Sequence, residues 1–538
     1  MAAEGVPMGL FLGIMVAFIG SMILLGFLGY RNTKDSQHFL LGRNKASTMM
    51  IALSYGATFL SASAIVGFGG QAAVHGPSLM WLCFLNLFLG LFVAFVLFGP
   101  RVRRIGRRLG ASTFADLMGK IFKSKGIRGF TAGIIIIMMP IYCAAVLKGG
   151  VNSLVILTGL GEFYDIILII LAVVVGLYVV YGGIIAVMYN DILQASVMIV
   201  GMVVILAVTV YTVGDFSALG GIPQTGVLDG ATGLAGAPSF LSEEWWLVVS
   251  TFILGVGIGA LTQPQLVVRF MSAKDDRMLN RSLIVGSIFM LVIVGIAYSV
   301  GPLTNAYFFE QHGMGSLQYI KSLNLGVDFI IPQYVLEVFN GISFGDVFIS
   351  VFVLSLLCAS ISTISALMHT IGAAGGHDAY TLFKNRKTKS EEDSQSLKVN
   401  RSVTAIMMVM VVVYCYLMPN DIIAKATSLF MGMTAAAMLP MMSYGLFAKL
   451  PNKMVAIVSM AVGAATYLFW ALFINSSSSV FLPICKWITG NQVLFMEGSL
   501  KFVDALVVAL PLSVIALAVM ILVTRSRRTD TAETEETT

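Results

Sequence analysis

With 538 residues, 58% of them hydrophobic and only 11% charged, and a mean hydropathy of +0.90, the chain carries too little charge to cover a soluble domain of this size and reads as an integral protein of a lipid bilayer. The net charge of +6 does not indicate nucleic acid, because the Lys and Arg are gathered into short loops and form no continuous basic face. The five cysteines (Cys83, Cys143, Cys358, Cys415, Cys485) show no C-x-x-C spacing and all but one lie inside apolar runs, which excludes a disulfide framework or zinc site and leaves them as packing residues.

Apolar runs of spanning length occur at about 9–30, 47–75, 77–99, 129–159, 164–181, 184–213, 245–270, 283–308, 344–375, 402–418, 421–447, 453–474 and 502–524, thirteen in all. The first has no basic leader and no small-residue cleavage site, and Arg31 and Lys34 follow it, so it is expected to be a retained span. Alternate loops 31–46, 100–128, 269–282, 376–401, 448–453 and 525–538 hold every Lys and Arg except Lys148, Lys321, Lys425, Lys486 and Lys501. Basic residues near span ends resist translocation, which makes those loops cytoplasmic in a cell membrane, with the N-terminus external and the C-terminus cytoplasmic. Loops 214–244, 309–343 and 475–501 are then external, and the polar, acidic 526–538 is expected to be a disordered tail.

The second run, Ser47 to Gly76, is poorly made for a simple helix. Gly56, Gly67, Gly69 and Gly70 weaken it, and Thr58, Ser61 and Ser63 place hydroxyls where lipid favours methyls, so a broken span buried among other helices is expected. The seventh run repeats the feature: Gly255, Gly257 and Gly259 precede Thr262-Gln263-Pro264-Gln265. The two lie five spans apart, and five spans reverse the orientation. Interrupted helices at matching places of two five-span units point to an inverted-repeat transporter, although membrane helices are rich in glycine on other grounds. The expected division is 47–213 and 245–447 for the repeats and 214–244 for an external loop. Additions are 1–46 before the repeats and 448–525, two flanking spans, after them.

Four ordered motifs then resemble the sodium:solute symporter family: Ser36-Gln37-His38-Phe39-Leu40-Leu41-Gly42-Arg43 before the first broken run; Tyr181-Gly182-Gly183 through Asp191 and Gln194 to Gly201; Gln263-Pro264-Gln265 with Arg269-Phe270-Met271 and Ala273-Lys274-Asp275; and Asp378-Ala379-Tyr380. Gln265 stands where histidine is frequent in that family. The resemblance runs from about 9 to 525 and implies an all-α membrane fold. That fold has thirteen transmembrane helices, a five-plus-five inverted-repeat core and two discontinuous helices.

Sodium is a hard cation that needs several oxygens, and an unwound helix frees carbonyls to supply them. Facing the opening run, Ser355, Ala359, Ser362, Ser365 and His369 recur at helical spacing on one face of an apolar helix. Such hydroxyls can also bond to carbonyls one turn back in their own helix. The resemblance implies a sodium site of Ala57, Leu60 and Ala359 carbonyls with Ser362 and Thr363 hydroxyls. It further implies a second sodium site, present in some members, at Asp191, Ser362 and Ser365; Ala366 departs from the serine expected there. Asp191 also reads as a helix-end carboxylate paired to a basic neighbour.

For the solute, Lys148 lies near the middle of the fourth run, where a charge is expensive and calls for a partner. It is a candidate counter-ion for a substrate carboxylate; an internal acid or an interface are its other destinations. Family members generally carry an uncharged residue hereabouts, which suggests a difference in substrate. Gln71, Gln263 and Gln265 can donate and accept, and Thr58, Phe59 and Tyr142 add hydroxyl or aromatic contacts; each of them also suits interhelical bonding or packing. The expected function is Na+-coupled symport of a carboxylate-bearing solute, such as an amino acid like proline or a short organic acid. A sugar or a vitamin such as pantothenate is the alternative within the family. From other classes, a channel would need a continuous polar pore, which is not evident, and a ligand-binding membrane sensor would show the same pocket. No H-E-x-x-H, clustered acid pair or nucleophile with a base marks the spans as an enzyme. No cofactor beyond Na+ and no obligate protein partner is expected.

Overall fold

The computed structural model describes residues 8–42, 46–221, 238–340, 342, 344–383, 389–418, 423–480 and 483–536; they contain helix and no strand. The helices used below are α1 (Met8–Asn32), α2 (Thr48–Phe59), α3 (Phe68–His75), α4 (Lys125–Thr158), α5 (Tyr164–Thr212), α6 (Gly255–Gly259), α7 (Pro264–Ser272), α8 (Asp276–His312), α9 (Gly345–Ala373), α10 (Lys389–Leu417), α11 (Ile423–Phe447), α12 (Lys453–Phe473) and α13 (Ala505–Glu536).

Eleven helical stretches among the described residues are long and apolar enough to cross a membrane. Two of them, Ser63–Leu109 with 47 residues and Gly161–Thr212 with 52, would reach about 70 and 78 Å if straight, more than twice the roughly 30 Å hydrocarbon core, so neither is a single crossing. Each contains a glycine in a conformation open to glycine alone: Gly76 (φ 72, ψ −165) and Gly183 (φ 60, ψ −157). These glycines fall between the second and third and between the fifth and sixth apolar runs of the sequence. A Cβ on Gly183 would also meet the Phe39 ring and backbone at 2.8 Å, where the short helix Ser36–Leu41 tucks under the turn.

Burial sorts the helices into interior and periphery. In the apolar windows of the spans containing α9 and α11, 83% of residues are buried, against 28% for α1 and 17% for α13. α9 packs on α5 and α4; α1 lies along α5; α12 and α13 pack on each other and on α11, and α13 also touches Trp246–Leu254 at the start of the second broken span. α13 continues as helix to Glu536, over the segment whose composition suggested disorder: alanine and glutamate extend a helix already nucleated. Most of the 214–244 loop, residues 222–237, lies outside the described residues.

Both interrupted spans are broken, but not at their glycines. The first leaves helical geometry at Leu60 (φ −94, ψ 85), and the chain resumes as helix through Ser63–Gly67 into α3. Gly69 and Gly70 are helical and serve close approach instead: a Cβ on Gly69 would crowd the Ile331 side chain, and one on Gly70 would run into the Val327 carbonyl. The second span breaks at Gln263 (φ −66, ψ 114), because Pro264 has no N–H and restricts the residue before it.

At the end of the bundle that carries most basic residues, Arg128 pairs with Asp378 (2.9 Å) and Asp116 (3.4 Å), Lys120 pairs with Asp116 (2.8 Å), and Thr113 donates to Asp378. Asp116, His377 and Asp378 are close enough to hold a metal, but Arg128 and Lys120 already neutralise the carboxylates. At the other end His75 of α3 pairs with Glu244 (2.9 Å), joining the second half of the first broken span to the start of the second.

Candidate ion and solute site

Because α2 stops at Phe59, the carbonyls of its last turn lose the amides that a continuing helix would offer. Hydroxyls of α9 replace them. Ser362 Oγ lies 2.9 Å from Ala57 O and 3.2 Å from Ala359 O, and Thr363 Oγ1 lies 3.0 Å from Thr58 O and 3.5 Å from Ala57 O. Thr363 makes no bond within its own helix, so its hydroxyl is committed across the interface. Ala57, Leu60, Ala359, Ser362 and Thr363 are each at most 1% exposed, and Leu60 sits at the break itself, its N–H bound to Gly56 O. Carbonyls and rotatable hydroxyls gathered in a dry site are the oxygen set a hard monovalent cation requires. The Thr58 carbonyl joins the set although the sequence offered only its side chain.

The second break faces the same interior. Gln263 Nε2 donates to Gly259 O (2.9 Å), the carbonyl that its own N–H leaves when it turns to Ala260 O, and to Thr434 Oγ1 (2.9 Å), and Gln263 Oε1 accepts from Gln265 Nε2 (3.2 Å). Both amide hydrogens of Gln263 are thereby used, whereas Gln265 Oε1 is buried with no partner. α11 reaches both breaks, since Thr427 donates to Ser63 Oγ (3.0 Å) and Thr434 meets Gln263. Tyr142 of α4 lies over the first break with its hydroxyl 3.4 Å from Ser61 Oγ and its ring stacked on Phe430 at 5.5 Å. Phe59 and Gln71 are buried on either side of that break, 5% and 8% exposed.

A profile of the sodium:solute symporter family matches residues 38–463. The chain belongs to that family. The osmoregulated proline transporter OpuE of Bacillus subtilis is 26% identical over 84% of this chain and 86% of its own length. The sodium/proline symporter of Escherichia coli is 24% identical over 85% of this chain and 86% of its own. Among solved structures, a Na+-coupled sialic acid symporter in a substrate-bound outward-open state superposes with a TM-score of 0.69, covering 94% of this chain and 96% of that one at 16% identity. The symporter described here therefore has the all-helical, five-plus-five fold with two discontinuous helices, and its family comprises Na+-coupled solute transporters, not enzymes.

The remaining candidates of this symporter are spread more widely. Lys148 of α4 donates to Met418 O (2.5 Å), just past the last residue of α10, where a cation suits the unpaired carbonyls of a helix end. Asp191 makes no bond to Ser362 or Ser365; Ser365 Oγ donates to Ser362 O (2.9 Å), and Asp191 Oδ2 accepts from Ser54 Oγ (2.5 Å). Its charged neighbour is Arg269, 3.5 Å away.

Arg269 is the residue that sequence reasoning misplaced. It was counted with the basic loop 269–282, yet it is 0% exposed and the largest fully buried side chain among the described residues. The available signal was its flanks: Val267 and Val268 before it, Phe270 and Met271 after it, and Gln265 one turn back. Ser54, whose hydroxyl touches both Asp191 and Arg269, gave no such signal.

Proposed function

We propose that this protein imports a small amino- and carboxylate-bearing solute, proline being the first candidate, by coupling it to Na+ entry in a cell membrane. The two repeats rock about the breaks and expose the site alternately to each side. The chain crosses the bilayer thirteen times, with its N-terminus external and its C-terminus cytoplasmic, as the loop charges require. The coupling ion binds at the carbonyls of Ala57, Leu60 and Ala359 and the hydroxyls of Ser362 and Thr363. The observation that carries this reading is the crossing of the Ser362 and Thr363 hydroxyls from α9 to the unwound end of α2.

The solute binds between the breaks, near Gln71, Thr58, Phe59, Tyr142, Gln263 and Gln265. Gln265 Oε1, an unpaired buried acceptor, suits the N–H of an amino-acid solute. Lys148 keeps N–H donors beyond its bond to Met418 and attracts the carboxylate. Relatives named as proline transporters at about a quarter identity over most of both chains support this solute class.

The test is uptake of proline by proteoliposomes. One Na+ moving down a tenfold gradient yields about 1.4 kcal/mol, and 100 mV adds about 2.3 kcal/mol. Together they sustain a gradient of several hundredfold for a neutral solute. Accumulation should vanish when K+ replaces Na+, and uptake indifferent to that replacement refutes the coupling.

A further inference from the structure

We infer that the connection between α12 and α13, residues 475–501, docks on the outer leaflet of the bilayer with its apolar side chains in the headgroup–acyl boundary. The choice of leaflet rests on the topology proposed above; the docking rests on the loop itself. Trp487, Ile488, Leu494, Phe495, Met496 and Leu500 are 46% to 72% exposed, although they belong to a loop and not to a span. Large apolar side chains gathered at a water-facing surface are unfavourable there, and such a patch marks a surface that has a partner.

The loop is ordered by its backbone, so these side chains are presented and not merely left loose. Leu494 N–H donates to Phe473 O at the end of α12 (2.8 Å), and the N–H and Oγ of Ser476 both donate to Lys501 O (2.8 and 3.1 Å). Gln492 Nε2 donates to Ser476 O (3.2 Å). Asn475 Nδ2 and Trp470 Nε1 share Val503 O just before α13 (3.0 and 2.9 Å). Cys485 and Val493 face inward and are buried, while their neighbours Trp487, Ile488 and Leu494 to Met496 face out.

Three observations favour lipid over a protein partner. The patch continues the lipid-facing surface of the helices it joins: most of the apolar window of α13 is exposed, and so is Phe469 of α12, stacked on Phe473 at 5.4 Å. Lys486 precedes Trp487, pairing an ammonium that can reach a lipid phosphate with a ring that prefers the membrane interface. Exposed Asn491, Gln492 and Glu497 lie among the apolar residues, which suits the hydrated boundary and neither the hydrocarbon core nor the dry centre of a protein interface. Docked in this way, the loop holds α12 and α13 to the outer leaflet while the repeats rock.

The test places a nitroxide at Ile488→Cys, Phe495→Cys and, as the water-side reference, Asn491→Cys in the full chain, whose native cysteines among the described residues are all buried. The labelled protein is reconstituted in vesicles of phosphatidylethanolamine and phosphatidylglycerol. The ratio of collisions with O2, which concentrates in lipid, to collisions with a water-soluble nickel chelate should be several-fold higher at 488 and 495 than at 491. Equal ratios at the three positions put the patch in water and overturn the inference. Closure of 488 and 495 to both reagents overturns it as well, and dipolar broadening between labels then identifies a second copy of the chain as the occupant. Without any label, lipid brominated near the headgroup should quench the native protein more than Trp487→Phe; equal quenching overturns the inference. A membrane-impermeant maleimide should label Asn491→Cys on intact cells. Labelling only in inverted membranes overturns the external placement of the loop, and with it the leaflet, while the collision ratios still decide whether the loop docks.

Discussion

Ser362→Ala removes one hydroxyl from the crossing between α9 and the unwound end of α2. That hydroxyl bonds to Ala57 O at 2.9 Å, shared with Ala359 O at 3.2 Å. In the proposed Na+ site the same oxygen is a ligand to a charge, and contacts with charged groups are worth about 1.5–3 kcal/mol. At about 1.4 kcal/mol per decade, Na+ should bind roughly 10- to 150-fold more weakly. Ser355→Ala is the matched control: Ser355 lies on the same helix, is 0% exposed, and donates to Met198 O at 3.3 Å. Its loss is a neutral bond of about 1 kcal/mol that changes stability without touching the ion. Melting temperature against NaCl at constant ionic strength separates the two, since a bound ion stabilises by mass action. The Ser362→Ala curve should move to higher Na+, and that of Ser355→Ala should shift in baseline only. Equal displacement of both curves would refute the assigned site.

Thr363→Ala should weaken Na+ in the same assay while Thr363→Ser keeps near-native affinity, because the hydroxyl is retained. Lys148→Met loses the bond to Met418 O and should cost about 0.3–1 kcal/mol of stability, the usual worth of a cation at a helix end. If the KM for proline is unchanged in that variant, Lys148 does not hold the carboxylate. Gln265→Met removes an acceptor that has no partner in the protein; proline affinity should fall roughly two- to tenfold, the scale of one lost hydrogen bond at about 0.5–1.5 kcal/mol, with Na+ affinity intact. Gly183→Ala places a Cβ against Phe39 at φ 60, and thermal stability should drop by about 1–3 kcal/mol.

The spans and their broken pair were legible in the sequence because both depend on long-lived physical constraints: bilayer thickness sets run length, and proline and hydroxyls cannot sit quietly in a lipid-facing helix. The position of the first break was legible only through the family resemblance, which put the freed carbonyls at Ala57 and Leu60. The glycines marked the span as weak without marking the place, for the chain unwinds at Leu60 and Gly70 lets the Val327 carbonyl approach. Glycine has two uses in a membrane helix, and composition does not tell them apart. Serine and threonine at 362 and 363 were readable as a pair, but their partners across the interface depend on how α9 is rotated against α2, which no local pattern records. Arg269 shows the same limit for charge: a lone arginine at the edge of an apolar run looks like a loop residue until Asp191, far away in sequence, is brought beside it.

The contacts of α11 have a mechanical meaning. Thr427 touches Ser63 past the first break, and Thr434 touches Gln263 at the second; the two threonines are two helical turns, about 10 Å, apart. α11 is thus a spacer bar between the unwound segments. Parting the segments strains one of these two contacts, each worth about 0.5–1.5 kcal/mol, so the bar sets a cost on changing their spacing.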